Sequence, residues 1–201
     1  MRTVVASCVA GLVVLVSRAA GGPYVDPQHG FGLTPPEQWV RVAPGPAVVA
    51  FASPAGPEPS ASPRRRETND EFVRRVRAAI GAQSNVDPAS RQVLSVSVAP
   101  AQGLTLQEVA RRSRSEVART RGMRVLGEVS ATLAGEPAVR RTTRFTLPGR
   151  TSVETTDIIC VRAGRVITVS FTAPTRNARR AAPLLTRVLA SFTWKAPAPI
   201  R

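Results

Sequence analysis

From Val125 to Ala173 the chain alternates apolar and polar residues in four successive runs, each closed by a short turn signal. In the first, Val125, Gly127, Val129, Ala131 and Leu133 alternate with Arg124, Glu128, Ser130 and Thr132, and Ala134-Gly135-Glu136-Pro137 makes the turn. In the second, Val139, Thr143, Phe145 and Leu147 alternate with Arg140, Thr142, Arg144 and Thr146, and Pro148-Gly149 turns again. Thr151 to Val161 forms the third, with Val153, Ile159 and Val161 on one side. Ala163-Gly164 is a two-residue hairpin loop, and Ile167, Val169, Phe171 and Ala173 finish the fourth. Successive side chains of a strand point to opposite faces. A period of two held over about fifty residues therefore predicts an antiparallel meander with one face buried and one facing water.

The elements before and after this meander show other periods. Gln92 to Ala99 reads as a further strand, with Leu94, Val96 and Val98 on one face and Pro100 at its end. Thr105-Leu106-Gln107-Glu108 has capping-box spacing, in which Thr105 and Glu108 satisfy each other's backbone N–H groups. Leu106, Val109, Ala110, Ser113 and Val117 follow at helical spacing, opposite Arg111, Arg112, Arg114 and Arg119, which predicts a helix over 105–121. Gly122 is placed to end it in a left-handed conformation. A last helix is expected from Thr175, as its cap, to about Ser191, with Leu184, Leu185, Val188 and Phe192 as its apolar stripe. Pro183 should kink that helix or mark its start.

Residues 22–46 are rich in Pro and Gly, an extended lead-in in which Phe31 to Thr34 can form a short strand and Trp39 and Val40 plug the core. Ala47 to Ala52 reads as a buried strand. Ser53 to Pro63 then lacks periodicity and ends in Arg64-Arg65-Arg66, and a short helix over 69–83 carries Phe72, Val73, Val76, Ala79 and Ile80 on one face. A sheet with an apolar face plus two or three amphipathic helices gives a layered α+β fold.

At the N-terminus, Met1-Arg2-Thr3 precedes an almost wholly apolar run from Val4 to Val16. That run is shorter than the roughly 20 residues a bilayer span needs and fits the apolar region of a signal peptide. Small-x-small spacing places cleavage after Ala19 or Gly21; Arg18 beside these sites leaves an uncleaved anchor as the alternative. Residues 1–21 are thus a signal peptide or anchor, and 22–201 one domain, exported to the periplasm, envelope or medium. Cys8 lies inside the apolar run, so a processed chain keeps one thiol, Cys160, expected as a small buried apolar residue.

Several motifs together resemble the PsbP-like superfamily. Phe31-Gly32-Leu33-Thr34-Pro35-Pro36-Glu37-Gln38-Trp39 resembles its F-x-x-x-P-x-x-W segment, and Leu133-Ala134-Gly135-Glu136-Pro137-Ala138 its L-x-G-x-P-A hairpin. Val48 to Pro54, the Thr105 helix, Val166 to Ala173 and Leu189-Ala190-Ser191-Phe192 follow in the order of its remaining elements, so the resemblance covers roughly 24–194. The stretch 53–83 stands as an insertion, and Val166 occupies a position where an aromatic is common. The resemblance implies an antiparallel sheet of about seven strands flanked by helices in an α/β/α arrangement, no shared catalysis, and a binding or assembly role with a protein or envelope component.

Few residues offer chemistry. His29 is the only histidine and sits beside a turn glycine, where an exposed imidazole is expected. One His, one retained Cys and dispersed carboxylates make no metal site, and no phosphate-cradling loop occurs, so no cofactor is expected. Glu154 and Asp157 fall on opposite strand faces and cannot work as a couple. Asp157 shares its face with Val153 and Ile159, which calls for a sheet edge or an arginine partner.

The formal charge of +15 comes almost wholly from arginine, Lys195 being the one lysine. The arginines are spread along the chain as on a solvated surface. The best polar binding candidate is the basic edge of Arg64, Arg65, Arg66, Arg74, Arg75 and Arg77, suited to anionic lipid or an acidic polymer. No aromatic residues interleave with it, which argues against nucleic acid.

Overall fold

The computed structural model describes residues 22–42, 47–54, 91–146 and 152–195. The segment 1–21, the arginines and helix expected between 64 and 83, and the Pro148-Gly149 turn lie outside the described residues.

The alternating runs form the expected meander: β6 (Met123–Leu133), β7 (Glu136–Thr146), β8 (Ser152–Arg162) and β9 (Arg165–Pro174). Its tight turns are built as their composition requires. Ala134 and Gly135 take φ of 46° and 86°, and Ala163 and Gly164 take 48° and 71°, the doubly left-handed backbone that matches the twist of a two-residue hairpin. β9 continues the sheet through β5 (Val93–Pro100), β4 (Val49–Ala52) and β3 (Val40–Val42), all pairs being antiparallel. The seven strands lie in the order β3-β4-β5-β9-β8-β7-β6. A second sheet joins β1 (Tyr24–Asp26), β2 (Phe31–Leu33) and β10 (Thr193–Trp194), tying the lead-in to the C-terminal end.

Two helices are described. α1 (Leu106–Arg119) starts at the predicted capping box: Thr105 N–H donates to Glu108 Oε2 at 2.8 Å, and Glu108 N–H donates to Thr105 Oγ1 at 3.3 Å. Gly122, at φ 83°, turns the chain from α1 into β6. α2 (Thr175–Ser191) runs through Pro183. Its cap position is Pro174 rather than Thr175, whose hydroxyl lies inside the helix with no partner among the described residues. Proline at the boundary presets the backbone angle in place of a side-chain cap.

The helices pack on opposite faces of the sheet. Toward α2 the middle of the sheet is apolar: Val49 and Phe51, Leu94 and Val96, Val169 and Phe171, Ile158 and Cys160 join Ala181, Leu185 and Val188 of the helix in one core, and the face turns polar at its β7 flank with Arg140, Thr142 and Arg144. Phe31, Leu33, Trp39 and Phe192 close this core from the small sheet and the lead-in, with Phe31 and Phe192 stacked at 5.6 Å.

The face toward α1 corrects the expectation of a water-facing side. There the register aligns one transverse rung across six strands, Glu128–Arg141–Asp157–Ser170–Ser95–Ala50. Arg141 is fully buried, and Asp157, Ser170 and Ser95 are buried beside it. A strand alternating apolar with short polar residues has two faces that can be covered, and period alone does not tell which ones are.

β6 departs from its predicted pattern. The register shifts between Val125 and Gly127, a bulge at Leu126. Val125 therefore shares the α1 face with Glu128, while Gly127, Val129, Ala131 and Leu133 lie on the other. Val129 is 56% exposed there.

Candidate functional site

A concavity among the described residues lies where the lead-in meets α2. Pro35 and Pro36 hold the chain extended, Gln38 turns it at φ 64°, and Trp39 is driven into the core, stacked on Phe171 at 5.9 Å. Trp39 N–H donates to the Pro36 carbonyl at 3.2 Å, which fixes the turn. Ser191 clips this segment to the helix: its Oγ accepts from Thr34 N–H at 2.9 Å and donates to the Val188 carbonyl at 2.7 Å. Between the two walls is an open cleft of about 590 Å3, with Thr34 to Trp39 on one side and Leu184, Arg187, Val188 and Ser191 on the other. Its surface is mainly proline ring, indole and aliphatic side chain, and its charged groups are Glu37 and Arg187, both exposed. Such a cleft fits an apolar or amphipathic group steered by one or two polar contacts. Nothing in it is a nucleophile with a base beside it.

The groups that could carry chemistry lie elsewhere, and each is held in a structural contact. His29 is not the exposed imidazole expected from its turn. Its Nδ1 lies 3.1 Å from Asp26 Oδ1, and the same oxygen accepts its backbone N–H at 2.8 Å. Asp26 also accepts from the Tyr24 hydroxyl at 3.2 Å, and burial together with the Asp26 charge raises the Tyr24 pKa. The side chain of Asp26 thus closes an Asx-type turn and anchors β1. No serine or cysteine of the described residues bonds to the ring.

Cys160 is fully buried in the apolar core, as expected, and burial pushes its thiol up to about 11, far from a reactive thiolate. Asp157 sits mid-sheet rather than at an edge. It stands across from Arg141 in register, yet its hydrogen bond comes from Ser170 Oγ at 2.6 Å. Burial raises its carboxyl to about 6, with the Ser170 bond and the Arg141 charge opposing the rise. Arg141 spends its guanidinium on Glu128 Oε2 at 2.7 Å, Ser113 Oγ at 2.7 Å and the Ala110 carbonyl at 2.6 Å, which pins α1 to the sheet. Glu154, on the opposite face as predicted, pairs with Arg144 at 2.7 Å.

Of the residues singled out by sequence, Arg64, Arg65, Arg66, Arg74, Arg75 and Arg77 lie outside the described residues, as do Ala19 and Gly21. Sequence reasoning missed the cleft. Its one legible signal was Pro35-Pro36-x-x-Trp39, which reads as a core plug unless the helix opposite it is known. Among the described residues no group of three or more His, Cys, Asp or Glu could hold a metal ion, and no helix is long and apolar enough to cross a membrane.

No protein-family model and no curated protein matches the chain. Solved structures do. Cyanobacterial PsbP from Synechocystis superposes over 94% of this chain and 98% of its own, at TM-score 0.53 and 13% identity. LpqN, involved in cell envelope biogenesis of Mycobacterium tuberculosis, superposes over 89% and 87%, at TM-score 0.53 and 12% identity. A Bacteroides thetaiotaomicron protein matches over 88% of this chain and 49% of its own, at TM-score 0.51 and 12% identity.

Proposed function

We propose that this chain, which has the PsbP-like α+β fold, is an exported, non-catalytic binding or assembly domain that engages a protein or envelope component through the cleft between Thr34–Trp39 and α2. The observation that carries this reading is how the polar groups are used. His29, Asp157, Arg141 and Cys160 are all committed to turn, rung or core, while the cleft offers shape, apolar surface and two exposed charges. The involvement of LpqN in envelope biogenesis supports an envelope setting, as does the signal-type segment 1–21.

The test is fractionation of cells expressing the full chain, combined with a photo-crosslinking residue at Gln38 in the cleft and, as control, at Gln107 on the outer side of α1. A product outside the cytoplasm, cross-linked from Gln38 to one envelope component and not from Gln107, is the expected outcome. Unprocessed chain confined to the cytoplasm defeats the export claim. Equal cross-linking from both positions defeats the cleft. Salt-sensitive attachment to anionic lipid, lost when Arg64, Arg65 and Arg66 are changed to Ala, transfers the function to that basic segment.

A further inference from the structure

The two edges of the large sheet are unlike. β3 is three residues long, the short edge typical of proteins that avoid pairing with another chain. β6 is eleven residues long, carries no proline, and among the described residues pairs on one side only, with β7. Two of the three exposed large apolar side chains of the described residues, Leu126 and Val129, belong to it.

Its flank is charged in an unusual way. On the face away from α1, Arg124 stands directly across from Arg144, and Val129 directly across from Arg140. Like charges opposite each other on one face destabilise a sheet unless something neutralises them. Arg144 has Glu154, but among the described residues Arg124 and Arg140 have no acidic partner. Thr142, half-buried, lies between the two arginines of β7, across from Gly127. Arg140 and Arg144 are four residues apart, on the order of 13 Å along the strand. That is about two side-chain repeats on one face of an extended chain. The opposite flank of β6 presents Glu128, already paired with Arg141, which disfavours acid on that side.

We propose that β6 is a docking edge for an extended acidic segment of a partner protein, which adds a strand to the sheet and lays alternate carboxylates against Arg124 and Arg140. Main-chain hydrogen bonds supply the attachment, and the arginines select the partner and its face. A second copy of this chain is the poorer occupant. Each copy carries a formal charge of +15, and edge-to-edge pairing would add a second Arg124, Arg140 and Arg144 to one seam. This site is separate from the cleft, so either can fail without the other.

The test uses the full chain and a capped heptapeptide, Glu-Val-Glu-Val-Glu-Val-Glu, with amide hydrogen exchange as readout. The expected result is slowed exchange at the β6 amides that do not bond to β7, with none at β3 or in the Thr34–Trp39 segment. A heptapeptide of the same composition in blocks, Glu-Glu-Glu-Glu-Val-Val-Val, should bind at least tenfold more weakly. The Arg124→Glu/Arg140→Glu variant should bind the alternating peptide at least tenfold more weakly than the parent chain. Val129→Glu, at an exposed site on the same face as Arg124 and Arg140, checks the edge by a second route and should also weaken binding, because it repels the incoming carboxylates. Absence of binding, equal binding of the block peptide, undiminished binding by both variants, or protection away from β6 each overturns the proposal. So does protection of β6 by rising protein concentration alone, which would assign the edge to a second copy.

Discussion

Asp157 and Ile158 are neighbours in β8 and point to opposite faces of one sheet, and both are buried. Ile158 joins the α2 core, with Arg140 across from it on β7 and Val169 across from it on β9, and toward β9 a strand sliding by two residues would still place apolar on apolar, against Ile167 or Phe171. Asp157 belongs to the rung in which Glu128 meets Arg141 and Asp157 meets Ser170. A slide by two would part both pairs and leave charges buried without partners. Packing on the α2 face supplies stability that many registers could share; the α1 face supplies the discrimination among them.

The sharpest way to break this contrast is to remove Arg141. Arg141→Ala leaves Glu128 and the Ala110 carbonyl without their donor and should cost about 3–5 kcal/mol of unfolding free energy in a urea titration. Leu94→Ala on the other face should cost about 2–5 kcal/mol through its cavity. The two differ in what repairs them. Arg141→Met with Glu128→Met removes both members of the pair and should recover most of the loss. If Arg141→Ala costs less than about 1 kcal/mol, the rung is incidental and the contrast between faces collapses.

The second test uses pH. Burial raises the folded pKa of Asp157 to about 6, above an unfolded value near 3.9. Between those values the folded chain keeps a proton that the unfolded chain has released. Its contribution is therefore full below about pH 4, declines as pH rises to about 6, and is spent above that. A rise of about two pKa steps corresponds to about 2–3 kcal/mol. Asp157→Asn keeps an acceptor for Ser170 and removes the charge. It should match the parent chain near pH 4 and exceed it by about 2–3 kcal/mol at pH 7–8. A difference that does not change with pH would mean that Asp157 is not the desolvated carboxyl of the rung.

How far the sequence carried these conclusions differs between the two faces. The meander, its left-handed turns at Ala134-Gly135 and Ala163-Gly164, and the capping box at Thr105 were legible because each is a local rule with a local signature. In β5 and β9 the apolar face followed from period two, whereas the apolar residues that period two picked out in β7 and β8, Val139, Phe145, Val153 and Ile159, lie on the α1 face. The polar face did not, because burial of Arg141 depends on where α1 lands, and α1 comes from another part of the chain. Asp157 was marked as anomalous, with a sheet edge or an arginine partner as the alternatives; it lies mid-sheet with Arg141 across from it, and the hydrogen bond from Ser170 was not foreseen. The bulge at Leu126 is a one-residue change with no signal in composition, and it exchanged the faces of Met123 to Val125 relative to the rest of β6. β1, β3 and β10 are two or three residues long, too short to show any period. The cleft needed two distant segments, Thr34–Trp39 and α2, to be placed together before it existed at all.

The smallest expected effect separates satisfied from unsatisfied polarity on the α1 face. Beside the Asp157 rung runs another, Thr143–Thr155–Thr172. Thr155 and Thr172 share a hydrogen bond at 2.9 Å, both fully or nearly buried, while the Thr143 hydroxyl has no partner among the described residues. Changing one of a bonded pair leaves the other desolvated and alone, so Thr155→Val should cost about 1–3 kcal/mol. Changing both removes the donor and the acceptor together at almost constant volume, so the Thr155→Val/Thr172→Val variant should return to within about 1 kcal/mol of the parent chain. Thr143→Val should be neutral or stabilising, because its hydroxyl gains nothing by being there. Urea titration of the three variants decides the point. If the double variant loses the sum of its single losses, hydroxyl pairing is not what holds this rung, and the α1 face is stabilised by side-chain volume in the same way as the α2 face.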